Sequence, residues 1–136
     1  MDICFNQHNL DKSKSLIVCE GIMDIHKIWS EISKNVTCTF GVSLSDGQKE
    51  FLKDASNIVL FIDDDEAGHK SVTIFEKFMS KDFKVAVVPG TDPGGADLRQ
   101  LNTALSKAVS WVDFLVEDVK LFEKSARSTF PLVGIK

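Results

Sequence analysis

This sequence of 136 residues contains no tyrosine, only three cysteines, and no apolar run near the roughly 20 residues that a membrane helix needs. Chemistry that requires a tyrosyl nucleophile would therefore depend on another chain or domain. The opening residues, Met1 to Cys4, have neither the basic flank nor the apolar core of an export signal. These absences predict a cytoplasmic protein without a membrane partner.

The cysteines are an odd number, and no two of them have C-x-x-C spacing. Cys19 and Cys38 lie inside strand-like apolar runs, where a reduced thiol packs as a small apolar side chain. We therefore expect free thiols with packing roles.

Basic residues are too few for a protein that grips nucleic acid alone. The chain has 16 lysines and arginines against 20 aspartates and glutamates, which gives a net charge of -4. Phosphate affinity comes mainly from lysine and arginine, so if this domain acts on nucleic acid, something else must help to hold it. A content of 43% hydrophobic and 26% charged residues is typical of one soluble globular domain.

Four apolar runs predict strands, and a segment with helical spacing follows each of them. The predicted strands cover Ser15–Cys19, 36–40, 58–62 and 84–88. This alternation is typical of a parallel sheet with helices on both faces. We predict an α/β fold with a four-stranded parallel sheet and a C-terminal amphipathic helix that carries Trp111, Phe114, Leu115 and Phe122.

Helical spacing also predicts which side chains point inward. The first helix is predicted to bury Ile22, Ile25, Trp29 and Ile32. Side chains that accept hydrogen bonds from a first helical turn predict where the helices begin. These caps are Ser45 with Gln48, Asp65, Asp97, and Ser110 ahead of Asp113.

Acidic residues follow three of the four predicted strands. Glu20 follows the first strand, Asp63 and Asp65 follow the third, and Asp92 lies in the loop after the fourth. The carboxyl ends of parallel strands meet at one edge of the sheet, so these side chains should face one crevice. Clustered carboxylates raise each other's pKa unless a cation intervenes, and oxygen ligands suit Mg²⁺. The sequence therefore predicts a divalent-metal site.

These residues also have simpler interpretations. Asp65 can complement the dipole at a helix N-terminus, and Asp92 can be a turn residue. Asp63 precedes the helix, so the dipole does not explain it. His69 and Lys70 form either a solvated helix face or a contact to phosphate.

Three motifs stand out together: Glu20-Gly21-Ile22-Met23-Asp24, then Phe40-Gly41 with Ser43-Leu44-Ser45, then Asp63-Asp64-Asp65-Glu66-Ala67-Gly68-His69-Lys70. Their combination resembles a Toprim domain, most closely that of DnaG-type bacterial and phage primases and Twinkle-like primase-helicases. The resemblance extends from about Phe5 to Leu105. It implies a Rossmann-like Toprim catalytic core in residues 1–108, with residues 109–136 as a C-terminal helix and tail leading to a further domain.

The resemblance implies Mg²⁺ or Mn²⁺ held by Glu20, Asp63, Asp65 and Asp92, the first three being catalytic. It implies nucleotidyl transfer, in which nucleoside triphosphates are joined into RNA primers on a single-stranded DNA template during replication. A replicative helicase or a fused helicase domain is the implied partner. The predicted contacts to substrate phosphate are Gly21, Gly68 and Lys70.

This chain departs from the family pattern at two positions. Relatives often have arginine where His69 stands, and Gly94 replaces the second acid of the D-P-x-[DE] motif that begins at Asp92, so Asp97 or solvent would complete that site.

Three alternatives stay open. The first is strand cleavage, as in Toprim nucleases and in topoisomerases, whose tyrosine comes from another domain. The second is a phosphoaspartate receiver domain, although such domains place the nucleophile after the first strand, where this chain has Glu20. The third is a non-catalytic module that binds a nucleotide or a helicase.

Overall fold

The computed structural model describes residues 4–38 and 44–129, with residues 122–129 described by their backbone alone. Phe40, Gly41 and Ser43 of the second motif therefore lie outside the described residues, as does the side chain of Phe122. The elements in chain order are β1 Ser15–Cys19, α1 Ile22–Glu31, β2 Val36–Cys38, α2 Asp46–Lys53, β3 Asn57–Ile62, α3 Glu66–Met79, β4 Lys84–Val87, α4 Leu98–Ser106, β5 Val109–Ser110 and α5 Trp111–Thr129.

The strands form one sheet in the order β2-β1-β3-β4-β5. The first four are parallel, which confirms the predicted α/β fold with its parallel sheet. The sequence did not reveal β5, which pairs antiparallel with β4 through Lys84 with Ser110 and Val85 with Val109. A strand of two residues is too short to show the alternating apolar and polar pattern by which strands are predicted.

Helices cover both faces of this sheet. Alternate residues of the strands point to opposite sides, so Leu60 and Phe61 belong to different buried clusters. One cluster includes residues of α2, α3 and α5, and the other includes residues of α1 and α4. Phe61 is fully buried, and burying a side chain of this size contributes about 1.5–3 kcal/mol.

The inward face of α1 was predicted only in part. Ile25 is buried as expected, but Ile28 is buried in place of Trp29, which is 44% exposed, and Ile22 is equally exposed. Helical spacing allows either Ile28 (i+3) or Trp29 (i+4) to share the inward face with Ile25. In the folded protein the smaller side chain, Ile28, packs there. Trp29 instead lies under the Lys34 ammonium group, 5.1 Å from its ring centroid.

The predicted caps are present. Ser45 and Asp97 each form a capping box, with Gln48 and Gln100 respectively, and Asp65 caps α3. The Ser110 hydroxyl accepts a hydrogen bond from the Asp113 N–H at 3.3 Å. Cys4, Cys19 and Cys38 are buried in the core and form no disulfide with one another. Among the described residues, no helix is both long and apolar enough to cross a membrane.

Candidate metal centre

The candidate centre lies where the strand order reverses. From β1 the chain continues to β2 on one side, and it then returns to β3 on the other side of β1. A crevice opens beyond the carboxyl ends of two such strands, and ligands of open α/β sheets bind there. Glu20 immediately follows β1 and Asp63 immediately follows β3, so the fold places both acids at this crevice.

Three acids meet at the crevice. Asp24, Asp63 and Asp92 each offer one carboxylate oxygen, and these oxygens lie within 4.8 Å of one another. The first comes from the opening turn of α1, the second from the end of β3, and the third from the loop after β4. The distance in sequence between them means that only the folded chain assembles this group.

Asp63 is the least satisfied member of the group. Its Oδ1 atom is buried and accepts no hydrogen bond from the described residues. Burial, followed by the charges of Asp24, Glu20, Asp92 and Asp65, raises the pKa of Asp63 to about 6. A carboxylate in this environment is stabilised by a cation that it can ligate directly. The orphaned oxygen and the oxygen-only donor set fit Mg²⁺ or Mn²⁺.

Asp24 is buried, with 7% of its surface exposed. Its Oδ1 atom accepts a hydrogen bond from the Gly94 N–H at 2.9 Å. Burial raises the pKa of Asp24 and the charge of Asp92 adds to this rise, although the Gly94 hydrogen bond acts against it. A Cβ at position 94 would lie 3.1 Å from the same oxygen, so the glycine that replaces the family's second acid lets the backbone approach Asp24.

Asp24 was predicted to have no role beyond its place in a motif. A usable signal was its position four residues after Glu20, because that spacing returns the chain from the strand end to the first turn of the next helix. Asp97, which with solvent was one of two ways to complete the site, forms its predicted cap of α4 by accepting from the Gln100 N–H at 2.8 Å, and it does not belong to the three-acid group.

Of the four predicted metal ligands, Asp63 and Asp92 lie in the three-acid group. Asp92 is exposed, and its Oδ1 atom accepts a hydrogen bond from the Gly95 N–H at 2.7 Å. Glu20 and Asp65 lie outside the group but close enough for their charges to raise the pKa of Asp63. The assignment of these residues as metal ligands stays a prediction.

Asp65 and Gly68 shape the start of α3. The Asp65 Oδ1 atom accepts a hydrogen bond from the Gly68 N–H at 2.6 Å, so this carboxylate is the cap of the helix. Gly68 is buried, and a Cβ there would overlap the backbone carbonyl of Asp63. Glycine at 68 is thus required by the close packing of α3 against the end of β3.

The other two predicted phosphate contacts are open to solvent to different degrees. Gly21 is the half-buried N-cap residue of α1, beside Glu20 at the crevice. The Lys70 ammonium lies 3.0 Å from Glu66, and both side chains are more than two-thirds exposed. Their contact to substrate phosphate stays a prediction.

His69 is held between two carboxylates. Its Nε2 atom lies 2.7 Å from Asp64, and its Nδ1 atom lies 2.8 Å from Asp118 of α5. Burial lowers the pKa of His69, but the hydrogen bonds to Asp64 and Asp118 outweigh this effect and the pKa is raised. Both ring nitrogens are therefore engaged within the protein, so the geometry favours neither a solvated face nor a contact to phosphate.

Comparison with known proteins identifies one family. A family model described as Toprim-like matches residues 17–101. A DNA primase of Campylobacter jejuni subsp. jejuni serotype O:2 is 30% identical over 122 residues, which cover 86% of this chain and 19% of that protein. This chain therefore corresponds to a small part of that relative.

Solved structures of primases share the fold. The DnaG primase catalytic domain bound to single-stranded DNA aligns with a TM-score of 0.65 and 17% identity, over 84% of this chain and 39% of that one. A DNA primase domain from Pseudomonas aeruginosa aligns with a TM-score of 0.66 and 19% identity, over 86% and 40% respectively. Identities this low establish similarity of fold alone.

Proposed function

Because this chain belongs to the Toprim-like family, we propose that it is the metal-dependent nucleotidyl-transfer module of a DnaG-like DNA primase. Its substrates would be nucleoside triphosphates, and the growing RNA primer would be paired with a single-stranded DNA template. The similarity of the Campylobacter primase over most of this chain supports the proposal.

One observation carries it: Asp63 has a buried oxygen with no hydrogen-bond partner among the described residues, and its carboxylate lies in a group with two others. A core acid held only by packing would have found a donor, because unpaired buried polar groups are costly. We infer that Asp24, Asp63 and Asp92 hold a divalent cation, Mg²⁺ or Mn²⁺, with Glu20 and Asp65 as neighbouring ligands.

Bound there, divalent cations would activate the attacking 3′-hydroxyl and neutralise charge on the departing pyrophosphate. The residues of the chain would position these groups. Asp63 and Asp92 come from different elements, so together they fix a site on two sides. Glu20, beside them at the end of β1, would ligate a cation or relay a proton.

Lys70 and Gly21 would contact the triphosphate. The ion pair of Lys70 with Glu66 is exposed, and such pairs contribute little free energy. Lys70 can therefore leave Glu66 for a phosphate at small cost. Gly21 would let the backbone approach the substrate closely, and Gly68 would serve by fixing the start of α3.

Other parts of a primase would supply the grip on the template. A net charge of -4 gives this chain few phosphate contacts of its own, and the relatives are much longer than this chain. We propose that flanking domains hold the single-stranded DNA, that a replicative or fused helicase is the partner, and that the protein acts in the cytoplasm.

Calorimetric titration with Mn²⁺ tests the metal site. We expect the 136-residue chain to bind Mn²⁺ and Asp63→Asn to abolish the binding, since the change removes charge while preserving shape. Asp82→Asn is the matched control, because Asp82 precedes β4 at the opposite edge of the sheet. Equal binding by all three proteins would exclude the proposed centre.

The activity needs the complete protein. With its flanking domains present, it should make short oligoribonucleotides on single-stranded DNA, and Asp63→Asn should stop the synthesis. Labelling of Asp63 by acetyl phosphate, with no primer made, would instead favour a phosphoaspartate enzyme.

A further inference from the structure

The pairing of His69 joins two parts of the molecule that are far apart in sequence. Its Nε2 atom lies 2.7 Å from Asp64 Oδ1, and its Nδ1 atom lies 2.8 and 2.9 Å from the two carboxylate oxygens of Asp118. Carboxylates only accept hydrogen bonds, so each ring nitrogen donates one. The side chains of all three residues are 26–30% exposed, which limits competition from water.

α5 also fixes the plane of the imidazole ring. The His69 and Phe114 rings are 5.2 Å apart between centroids and tilted by 51°. Phe114 is buried in the core cluster that includes residues of α3. The helix therefore holds His69 at two points, through a hydrogen bond and through ring packing.

Asp64, which accepts a hydrogen bond from His69, also connects the end of β3 to the loop that carries Asp92. Its Oδ2 atom accepts a hydrogen bond from the Gly90 N–H at 2.6 Å, and its own N–H donates to the Thr91 carbonyl at 3.1 Å. Gly90 has a φ of 81°, a conformation that favours glycine. Asp63 and Asp92 are the chain neighbours of Asp64 and Thr91, so these hydrogen bonds connect the two segments that carry the acids.

We propose that His69 is a positioning residue through which α5 sets the spacing of Asp63 and Asp92. The connection runs from Asp118 to His69, then to Asp64, and from there to the loop of Asp92. The proposal rests on the proposed function only in that these acids hold a metal. It links the C-terminal helix to the crevice through a continuous series of hydrogen bonds.

Two measurements on the 136-residue chain test it, one of which needs no metal. The amide NMR signal of Gly90 reports the hydrogen bond to Asp64 in the metal-free protein, and calorimetry reports Mn²⁺ affinity. We expect Asp118→Ala to shift the Gly90 signal and to weaken Mn²⁺ binding about tenfold, as is typical for residues that orient metal ligands. Asp118→Asn keeps an acceptor for the Nδ1 proton and should restore both readouts.

Glu117→Ala is the matched control. Glu117 is the exposed neighbour of Asp118 on α5 and pairs only with Lys120 among the described residues, so neither readout should change. If Asp118→Ala does not fold, His69→Ala provides the same test, because alanine has no side-chain donor for either carboxylate.

An unchanged Gly90 signal in Asp118→Ala would overturn the proposal. Unchanged Mn²⁺ affinity would do the same, even if Asp118→Ala unfolds at a lower temperature, because the role of Asp118 would then be structural only. If the unaltered chain binds no Mn²⁺, the proposed function fails at its metal site. The Gly90 signal then decides the positioning role alone.

Discussion

At the scale of single residues, Asp63 is a carboxyl group whose surroundings disfavour its ionised form. The carboxyl group is half-buried, one oxygen lacks a donor, and four other acids lie close enough to affect its titration. Such a group destabilises the metal-free fold when it ionises, and a cation relieves this cost. Stability is thus given up at the point where the proposed chemistry needs a ligand.

The pH dependence of stability should show how much the ionisation of Asp63 costs the folded protein. Burial and the neighbouring acids raise the pKa of Asp63 to about 6. Because the folded protein then binds this proton more tightly than the unfolded chain does, the contribution of Asp63 to stability is lost as the pH rises through about 6. In a chelator at pH 7.5, Asp63→Asn should therefore unfold at a higher temperature than the unaltered chain.

Thermal unfolding monitored by circular dichroism at pH 4.5 and 7.5 checks this expectation. The comparison between the two proteins isolates Asp63 from the other titrating groups, and the advantage of the variant should shrink at the lower pH. A variant that is less stable than the unaltered chain at pH 7.5 would contradict the interpretation. With Mn²⁺ present the order should reverse, since only the unaltered chain gains stability from binding.

Sequence reasoning identified residues of this site wherever chain position alone determined their location. Asp63 and Asp92 follow strands whose ends must share an edge, so both were predicted. Asp24 was missed as a member of the group: its spacing from Glu20 was a local signal, but its hydrogen bond with the Gly94 N–H spans 70 residues and has no local signature. The pairing of His69 with Asp118 spans 49 residues, and no local pattern encodes such a contact.

At the scale of elements, α3 begins with an acid that has two possible roles. Asp65 caps the helix through the Gly68 N–H, yet its charge also acts on Asp63. Asparagine caps a helix about as well as aspartate, whereas alanine does not.

Substitutions at position 65 should therefore separate the two roles. We expect Asp65→Ala to lower the free energy of unfolding by about 1 kcal/mol, and Asp65→Asn to leave it nearly unchanged. If Asp65 also ligates metal, Asp65→Asn should still weaken Mn²⁺ binding. Denaturant unfolding and calorimetry on both variants provide the measurements. Normal Mn²⁺ affinity in the asparagine variant would leave Asp65 with its capping role alone.

The elements themselves were largely predictable, because apolar runs and capping residues are local signals. β1 matches its predicted range, Ser15–Cys19, and Ser45 and Asp97 cap the helices as expected. The inward face of α1 was not, since its packing partners decided between Ile28 and Trp29. Likewise β5 exists because β4 offers an edge at Lys84 and Val85, which is a tertiary cause.

At the scale of the whole molecule, the predicted division after residue 108 separates the family motifs from a helix that packs with them. Phe114 belongs to the same buried cluster as Phe75 and Val85, and Asp118 reaches His69. The division stays a prediction about sequence modules. In the folded chain α5 is part of the support of the crevice, so a domain that follows it could act on the site through this helix.

The overall charge leads to the last prediction. The chain carries a net charge of -4, and its clustered acids face the crevice where phosphate would bind. Without metal these acids repel nucleic acid, so we expect weak binding of single-stranded DNA. Fluorescence anisotropy in the presence of a chelator should give a dissociation constant larger than about 10⁻⁵ M. Mn²⁺ should tighten the binding by neutralising the acids. Asp63→Asn should lose this gain while Asp82→Asn keeps it. Tight binding that changes neither with Mn²⁺ nor with Asp63→Asn would mean that the DNA binds to another surface. The crevice would then have no part in holding the template.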